Sequence, residues 1–495
     1  MLFLGIDLGT SSIKICLFDA EKGEPVAFAA EPPEEMRVQA SQEGWAEQDP
    51  EQWWQHTQTG ISRVLQTEGV DTSAIQGIGI SYQMHGLVLV DTHQQVLRPA
   101  IIWSDSRAVP HGEKAFEDLG NSFCLAHYLN SPGNFTAAKM HWVKEHEPSL
   151  YEKVDKMMLP GDFLAMKLSG EISTTIGGLS EGIMWDFHQK SQAKDLYRYF
   201  GIEEKMIPPV YKTFEATAGL RRELADSWGI PAGIPISYRA GDQPNNAFSL
   251  GVINPGEIAA TAGTSGVVYG VSHETAYDPV SRVNTFAHVN YSQEVNSLGI
   301  LLCVNGTGIL NNWLKRNLSI DSYEQMNQMA GGIAAGSDGL VMLPFGNGAE
   351  RVLNNRLVGA QLSHLDLNTH THAHMIRAAH EGIAYSFKYG MDIMGTLGMQ
   401  PTVIRAGRAN MFQSHIFRNT LSDVNEVIIE LYETNGAEGA ARGAAVGTRF
   451  YSTPEESAAS LKLLETIEPN QQRKDAQLAF YNKWLHTLQQ QLINN

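Results

Sequence analysis

Residues 2–19 read LFLGIDLGTSSIKICLFD, two apolar runs separated by Gly9-Thr10-Ser11-Ser12. Leu2–Ile6 and Ile13–Phe18 have strand character, and the small residues between them signal a hairpin. The pattern returns about half a chain length later, where EIAAT and VVYGV, within Glu257–Val271, flank Gly263-Thr264-Ser265-Gly266. Two halves that open on the same turn predict a duplicated α/β fold, with its boundary shortly after Ala240-Gly241-Asp242, around Gly251–Pro255. The expected domains are therefore 1–250 and 251–495. Working outward, Ile75–Ser81 and Leu87–Asp91 read as strands and Pro50–Leu65 as a helix with Asp49 at its N-cap. Leu150–Met158 and Ala216–Trp228 read as connecting elements. Thr371–Met399 carries apolar residues at helical spacing, and Pro454–Leu464 reads as a further helix. Strands alternating with helices place the chain in the α/β class.

The chain's 495 residues exceed the roughly 250–300 at which a single core stops growing, so two large domains with a cleft between them are expected. Its 36 Lys+Arg against 54 Asp+Glu give a net charge of −18. Scattered cations in an acidic chain exclude nucleic acid and anionic membranes as partners. Cys16, Cys124 and Cys303 form no CxxC pair, which argues against a disulfide or zinc framework. The N-terminus has no basic leader, and nowhere is there a run of the ~18 apolar residues that a spanning helix needs. A cytoplasmic protein is expected.

The first turn has the chemistry of a phosphate cradle. Gly9 lets backbone approach closely, Thr10, Ser11, Ser12 and turn N–H groups can donate to phosphate oxygens, Lys14 adds positive charge, and Asp7 can hold a divalent ion. A surface β-turn has the same composition, so this motif alone leaves both readings open. Its recurrence at Gly263-Thr264-Ser265 favours two turns that clamp the ends of a triphosphate. No Gly-x4-Gly-Lys-Ser/Thr occurs, and no Gly-x-Gly-x-x-Gly follows a strand, which removes the P-loop and dinucleotide alternatives.

Gly5–Asp19, Gly44–Trp54, Ile78–Gly86, Val96–Arg107, Asn134–Trp142, Leu159–Leu164, Arg239–Asn246 and Ala262–Gly266 together, in that order and spacing, resemble the FGGY family of carbohydrate kinases. The resemblance implies two ribonuclease-H-like domains of the actin, hexokinase and Hsp70 superfamily flanking a central cleft. The sugar and the first phosphate hairpin would lie on the N-terminal side and the nucleotide on the C-terminal side. It implies ATP and Mg²⁺, with a ketopentose as acceptor and D-xylulose 5-phosphate as the expected product. Asp242 matches the family's catalytic base, and Asp7 with Asp242 the metal site. A carboxylate at a helix start is expected to be held low in pKa and ionised at pH 7. Gln83, Met84 and His85 are expected at the sugar, with Trp103, Asp105 and Asn245. Asp105 and Arg107 could instead be a structural ion pair. Gly263, Thr264, Ser265, Gly407 and Asn410 are expected at the nucleotide, with Gly436 and Gly439 beside its base; small-residue helix packing is compatible with the last two. A homodimer is an open expectation for assembly.

Three departures from the family pattern bear on the site. Arg405–Phe412 stands where many relatives carry a Gly-Gly-Gly-Ala-Arg-like turn, Phe345–Arg351 keeps only the Glu350-Arg351 pair of a usual Ser-Gly-Glu-Arg-Thr-Pro, and Arg239-Ala240 replaces glycines before Asp242. Gly178-Leu179-Ser180-Glu181-Gly182 fits a nucleophile elbow, but the Ile-Met-Trp-Asp-Phe that follows reads as a strand or turn where an elbow needs a helix. His370, His372 and His374 alternate at a helix start and diverge, which argues against a metal there. Other acceptors of the same architecture are L-ribulose, L-fuculose, gluconate and glycerol. An actin- or Hsp70-like nucleotide switch is the alternative in which no sugar is needed.

Overall fold

The computed structural model describes residues 1–494. Leu2–Leu8 (β1) pairs antiparallel with Ile13–Asp19 (β2), and Asp7 stands opposite Lys14. Every residue of β1 is buried, which is why the strand reads as a nearly continuous apolar run. Glu24–Glu31 (β3) extends the antiparallel side, while Ile75–Tyr82 (β4) and Pro235–Gly241 (β5) add in parallel on the other. The resulting order is β3-β2-β1-β4-β5, with Ala218–Gly219 at one edge.

The second half repeats this plan. Ile258–Ala262 (β6), Gly266–Ser272 (β7), Leu298–Val304 (β8), Val403–Gly407 (β9) and Ile428–Tyr432 (β10) lie in the order β8-β7-β6-β9-β10. Again the first three are antiparallel and the last two parallel. Asn284–Ala287 and Leu463–Ile467 add antiparallel edges. Each Gly-Thr-Ser turn thus caps the central hairpin of its own sheet.

The helices that frame the site are Pro50–Leu65 (α1), Val109–Leu119 (α2), Thr136–His146 (α3), Ile176–Glu181 (α4), Asp242–Ser249 (α5), Gly308–Asn317 (α6), His372–Thr396 (α7) and Gly436–Gly447 (α8). α1 has its expected bounds, and the Asp49 carboxylate accepts from Glu51 N at 2.9 Å. The helix expected over Pro454–Leu464 ends at Ala458, because the alternating Leu463–Ile467 run finds a ladder along the free edge of β10. The strand expected over Leu87–Asp91 is trimmed to Val88–Val90 and pairs with Lys156–Met158, inside a segment expected only to connect.

α8 belongs to the second half of the chain yet lies across β1, β4 and β5 of the first sheet. Its Ala437, Ala440, Ala441, Ala444 and Ala445 pack on Phe3, Cys16, Phe18 and Tyr238. The approach is backbone to backbone: a Cβ on Gly5 or Gly79 would overlap the carbonyl of Ala437 or Ala440. No helix among the described residues is long and apolar enough to cross a membrane.

Candidate active site

β5 delivers Asp242 to the first position of α5, where the chain leaves the sheet. Burial first, and the Asp7 charge second, raise its pKa to about 7; Gln243 and Lys14 oppose the shift. The expected depression is therefore reversed. A rise from 3.8 to about 7 corresponds to roughly 4 kcal/mol, whereas a helix start returns only about 0.3–1 kcal/mol. Asp7 itself accepts from Ser81 Oγ at 2.8 Å, and Lys14 Nζ stands 3.9 Å from its Oδ2. Asp7, Lys14 and Asp242 thus form one electrostatic cluster, whose two carboxylates are oxygen donors of the kind hard divalent ions take.

Gly241 precedes the aspartate at a point with no room for a side chain: a Cβ there would lie 2.6 Å from both Met84 Cγ and Glu181 Oε2. Met84 and Glu181 thus wall the base on one side. His85 follows with a left-handed φ of 63°, which turns the chain out of β4. Its Nδ1 is 2.8 Å from the Glu181 carbonyl and donates to it, and burial holds its pKa down to about 3. The ring is neutral, so Nε2 is left as an acceptor for a hydroxyl. Phe135 and Phe286 pack on it with centroids at 4.8 and 5.4 Å, and Arg351 lies over Phe135 at 5.8 Å. Both halves of the chain therefore wall this pocket. The fully buried Lys139 of α3 supports it from below, with Nζ donating to the carbonyls of His85 and Ile102.

Glu181 escaped sequence reasoning because it sits inside the elbow-like Gly178–Gly182 motif. The elbow is absent: Ser180 lies on α4 and its Oγ accepts from Ala287 N at 2.8 Å. Glu181 is buried beside the Tyr82 hydroxyl; burial, opposed by Tyr82 and reinforced by the Asp242 and Asp162 charges, raises its pKa well above the carboxylate range. The one sequence signal was a carboxylate flanked by glycines in an apolar stretch.

At the first turn, Gly9 N donates to Ser12 O at 3.1 Å, and the Thr10 hydroxyl joins a side-chain network. Trp103 Nε1 donates to Thr10 Oγ1 at 2.9 Å, and Gln83 links to both Thr10 and Gln48. Trp103 is 47% exposed, so one face of its ring is open at the rim. Ser11 is exposed and Ser12 half-buried. The second turn is held by backbone: Gly308 N donates to Gly263 O at 2.9 Å and Ile309 N to Thr264 O at 3.2 Å. Asn410 comes beside it, since a Cβ on Gly263 would lie 3.6 Å from Asn410 Nδ2, while Gly407 ends β9 with open space next to its Cα. Thr264 is exposed and Ser265 half-buried. Behind the turn, Glu350 accepts from Asn305 N and Gly306 N, and burial lifts its pKa to about 7.

Three of the expected site residues are engaged with other parts of the protein. Asp105 is fully buried in a bidentate pair with Arg107 and accepts from Ala46 N at 2.6 Å, which is the ion-pair alternative. Asn245 is also fully buried, and its amide bridges Gly436 O at 2.9 Å and the Tyr238 hydroxyl at 3.1 Å. Gly439 faces α5, where a Cβ would lie 2.6 Å from Ser249 Cβ, so it serves helix packing. Gly436 abuts Asp7, because a Cβ there would come within 2.9 Å of both carboxyl oxygens. Away from the site, His374 Nε2 lies 3.1 Å from Asp338 and His370 is its ring neighbour.

Comparison with known proteins accounts for nearly the whole chain. The N-terminal domain of the FGGY family of carbohydrate kinases matches residues 2–249, and its C-terminal domain matches 258–448. A xylulose kinase of Escherichia coli (strain K12) is 30% identical over 466 residues, covering 93% of this chain and 92% of its own. The crystal structure of xylulose kinase from Rhodospirillum rubrum superposes with a TM-score of 0.87 at 25% identity, covering 98% of each chain. Gluconate kinase from Lactobacillus acidophilus shares the fold, with a TM-score of 0.90 at 19% identity over 99% of this chain and 98% of its own. Two sheets of one plan, the carboxylates Asp7 and Asp242 at strand ends of the first sheet and matches to both family domains lead to one conclusion: this chain belongs to the FGGY family of carbohydrate kinases.

Proposed function

We propose that this sugar kinase transfers the γ-phosphoryl group of ATP to a ketopentose, D-xylulose, giving D-xylulose 5-phosphate. The observation that carries the reading is the pocket of Met84 and neutral His85 pressed against the strand end that bears Asp242. The xylulose kinase of Escherichia coli, similar over most of both chains, supports the same acceptor. His85 Nε2 accepts from one sugar hydroxyl, and the apolar Met84 and Phe286 cover the C–H faces. The hydroxyl to be phosphorylated loses its proton to the Asp242 carboxylate as its oxygen attacks the γ-phosphorus.

The two Gly-Thr-Ser turns, with Lys14, hold the phosphates, and Asn410 and Gly407 lie toward the nucleoside. Asp7 and Asp242 fit Mg²⁺ by donor type, and the pressure Asp7 puts on Asp242 is the like-charge strain that a divalent ion relieves. When bound, Mg²⁺ supplies charge neutralisation to the phosphates. This chain's own residues align the acceptor and receive its proton, and closure of the two halves excludes competing water.

A coupled ADP-release assay with Mg-ATP across D-xylulose, L-ribulose, L-fuculose, gluconate, glycerol and no sugar tests the reading. The expected result is the highest kcat/KM for D-xylulose. A higher value for another acceptor reassigns the pocket, and turnover indifferent to every sugar replaces the kinase reading with a nucleotide switch.

A further inference from the structure

In the first half of the chain, α2 and α3 bring three candidate ligands together, with a further histidine beside them. His111 comes from α2, and His141, Glu145 and His146 from the last turns of α3. One ligand atom from each of His111, Glu145 and His146 lies within 4.8 Å of the others. His141 joins through the same carboxylate: its Nε2 is 3.3 Å from Glu145 Oε1, and His111 Nδ1 is 3.5 Å from Oε2. Both distances are long for an N–H···O hydrogen bond. The His111–Glu145 separation matches neighbouring ligand atoms around Zn²⁺, since bonds of about 2.0–2.2 Å to a tetrahedral ion separate them by roughly 3.3–3.6 Å, while His141 reaches the other oxygen of the same carboxylate.

The other nitrogens are committed in the way metal ligands need. His141 Nδ1 donates to the Phe200 carbonyl at 3.1 Å and His146 Nδ1 to the Trp142 carbonyl at 3.0 Å. Each bond fixes the tautomer whose Nε2 carries the lone pair, as in the outer shell of histidine metal sites. Ring orientation is fixed too: His146 stacks on Trp142 at 4.6 Å and 6°, and His141 on Phe200 at 5.0 Å and 29°. Pro110, His111, Lys114, His141, Glu145 and Tyr199 line a depression beside the cluster, and the charge of Lys114 is paired with Asp118 at 2.9 Å.

We propose that His111, Glu145 and His146, with His141 beside the shared carboxylate, form a site for a divalent first-row transition ion of the Zn²⁺ class, distinct from the Mg²⁺ position at Asp7 and Asp242. Two imidazoles with one carboxylate suit a borderline ion better than Mg²⁺, which takes oxygen ligands. The ion cross-links α2 to α3, the helix whose Lys139 supports the backbone of His85.

The test uses tag-free full-length protein, stripped with chelator, desalted and titrated with ZnCl₂ alone by calorimetry. The expected result is one equivalent bound, with affinity weakened by more than about tenfold in His111→Ala and in His146→Ala, because each loses a coordination bond. Zinc is expected to raise the melting temperature of the wild type but not of His111→Ala/His146→Ala, and excess MgCl₂ is expected not to compete. His372→Ala, a histidine elsewhere on the surface, controls for non-specific binding and is expected to bind as wild type. Equal binding by the wild type and the double variant, or several weak equivalents in both, overturns the proposal. Circular dichroism of each variant separates loss of the site from loss of the fold.

Discussion

The two Gly-Thr-Ser turns share a sequence, a place at the tip of a central hairpin and a sheet order, yet they are held in different ways. The first adds side chains to its backbone bonds: Met36 N donates to Ser11 O at 2.8 Å, but Thr10 also bonds to Trp103 and Gln83, and Lys14 stands by Asp7. The second is fixed by backbone, through Gly308 and Ile309 at the start of α6. The shape is common to both while the added support differs, so the turns should answer differently to mutation. Side-chain truncation should be felt at the first, and crowding of the main chain at the second.

The largest effect should come where the first sheet delivers its carboxylate. Asp242→Asn is expected to lower kcat by about 10²–10⁴ while ATP affinity stays within a few-fold, as read by coupled assay and nucleotide titration; full activity would end the assignment. The same residue sets two pH dependences of opposite sign. In the wild-type free enzyme, kcat/KM should fall as pH drops through about 7, where the base protonates. Stability should run the other way. The folded-state pKa lies above the ordinary 3.8, so the stabilising contribution of Asp242 is complete below about pH 4 and is lost as pH rises through about 7. Asp242→Asn should therefore melt higher than wild type at pH 8, with the gain shrinking toward pH 4.

Next in size is the test that separates the turns. A methyl group on Gly308 would overlap the Gly263 carbonyl and move the second turn, so Gly308→Ala is expected to weaken ATP by about tenfold or more. Ser265→Ala should change it little, and equal effects of the two substitutions would erase the contrast. Thr10→Val removes the hydroxyl that joins Trp103 and Gln83. A loss of about 1 kcal/mol, a several-fold rise in sugar KM, is expected from steady-state kinetics. The smallest effect on catalysis should be that of Asn245→Ala. It removes the bridge between Gly436 O and Tyr238, lowering stability by about 1–3 kcal/mol in denaturant while sugar KM is unchanged.

Much of this was legible in the sequence because hairpin tips and strand ends are written locally. The repeated Gly-Thr-Ser turn forecast two sheets of one plan, and Asp242 at a strand-to-helix step was found where β5 gives way to α5. What escaped was orientation. Asp105 and Asn245 have the right chemistry for a sugar, but Arg107 two residues on captures the first and α8, distant in sequence, captures the second. The ionisation of Asp242 was misjudged for the same reason, since the helix start is local while the burial and Asp7 that outweigh it are tertiary. Glu181 was hidden because its importance lies in what surrounds it, a buried carboxyl group between Tyr82 and Gly241, and not in its motif.

The placement of α8 has a consequence for how the chain is divided. A gene fragment stopping near residue 250 would leave Phe3, Cys16, Phe18 and Tyr238 without their alanine cover, and Ala20 O without the Tyr451 hydroxyl that reaches it at 2.7 Å. Such a fragment should aggregate when made alone. Produced together with the remainder it has its missing helix within reach, so the two pieces should behave as a split-protein pair that regains kinase activity only by reassociation.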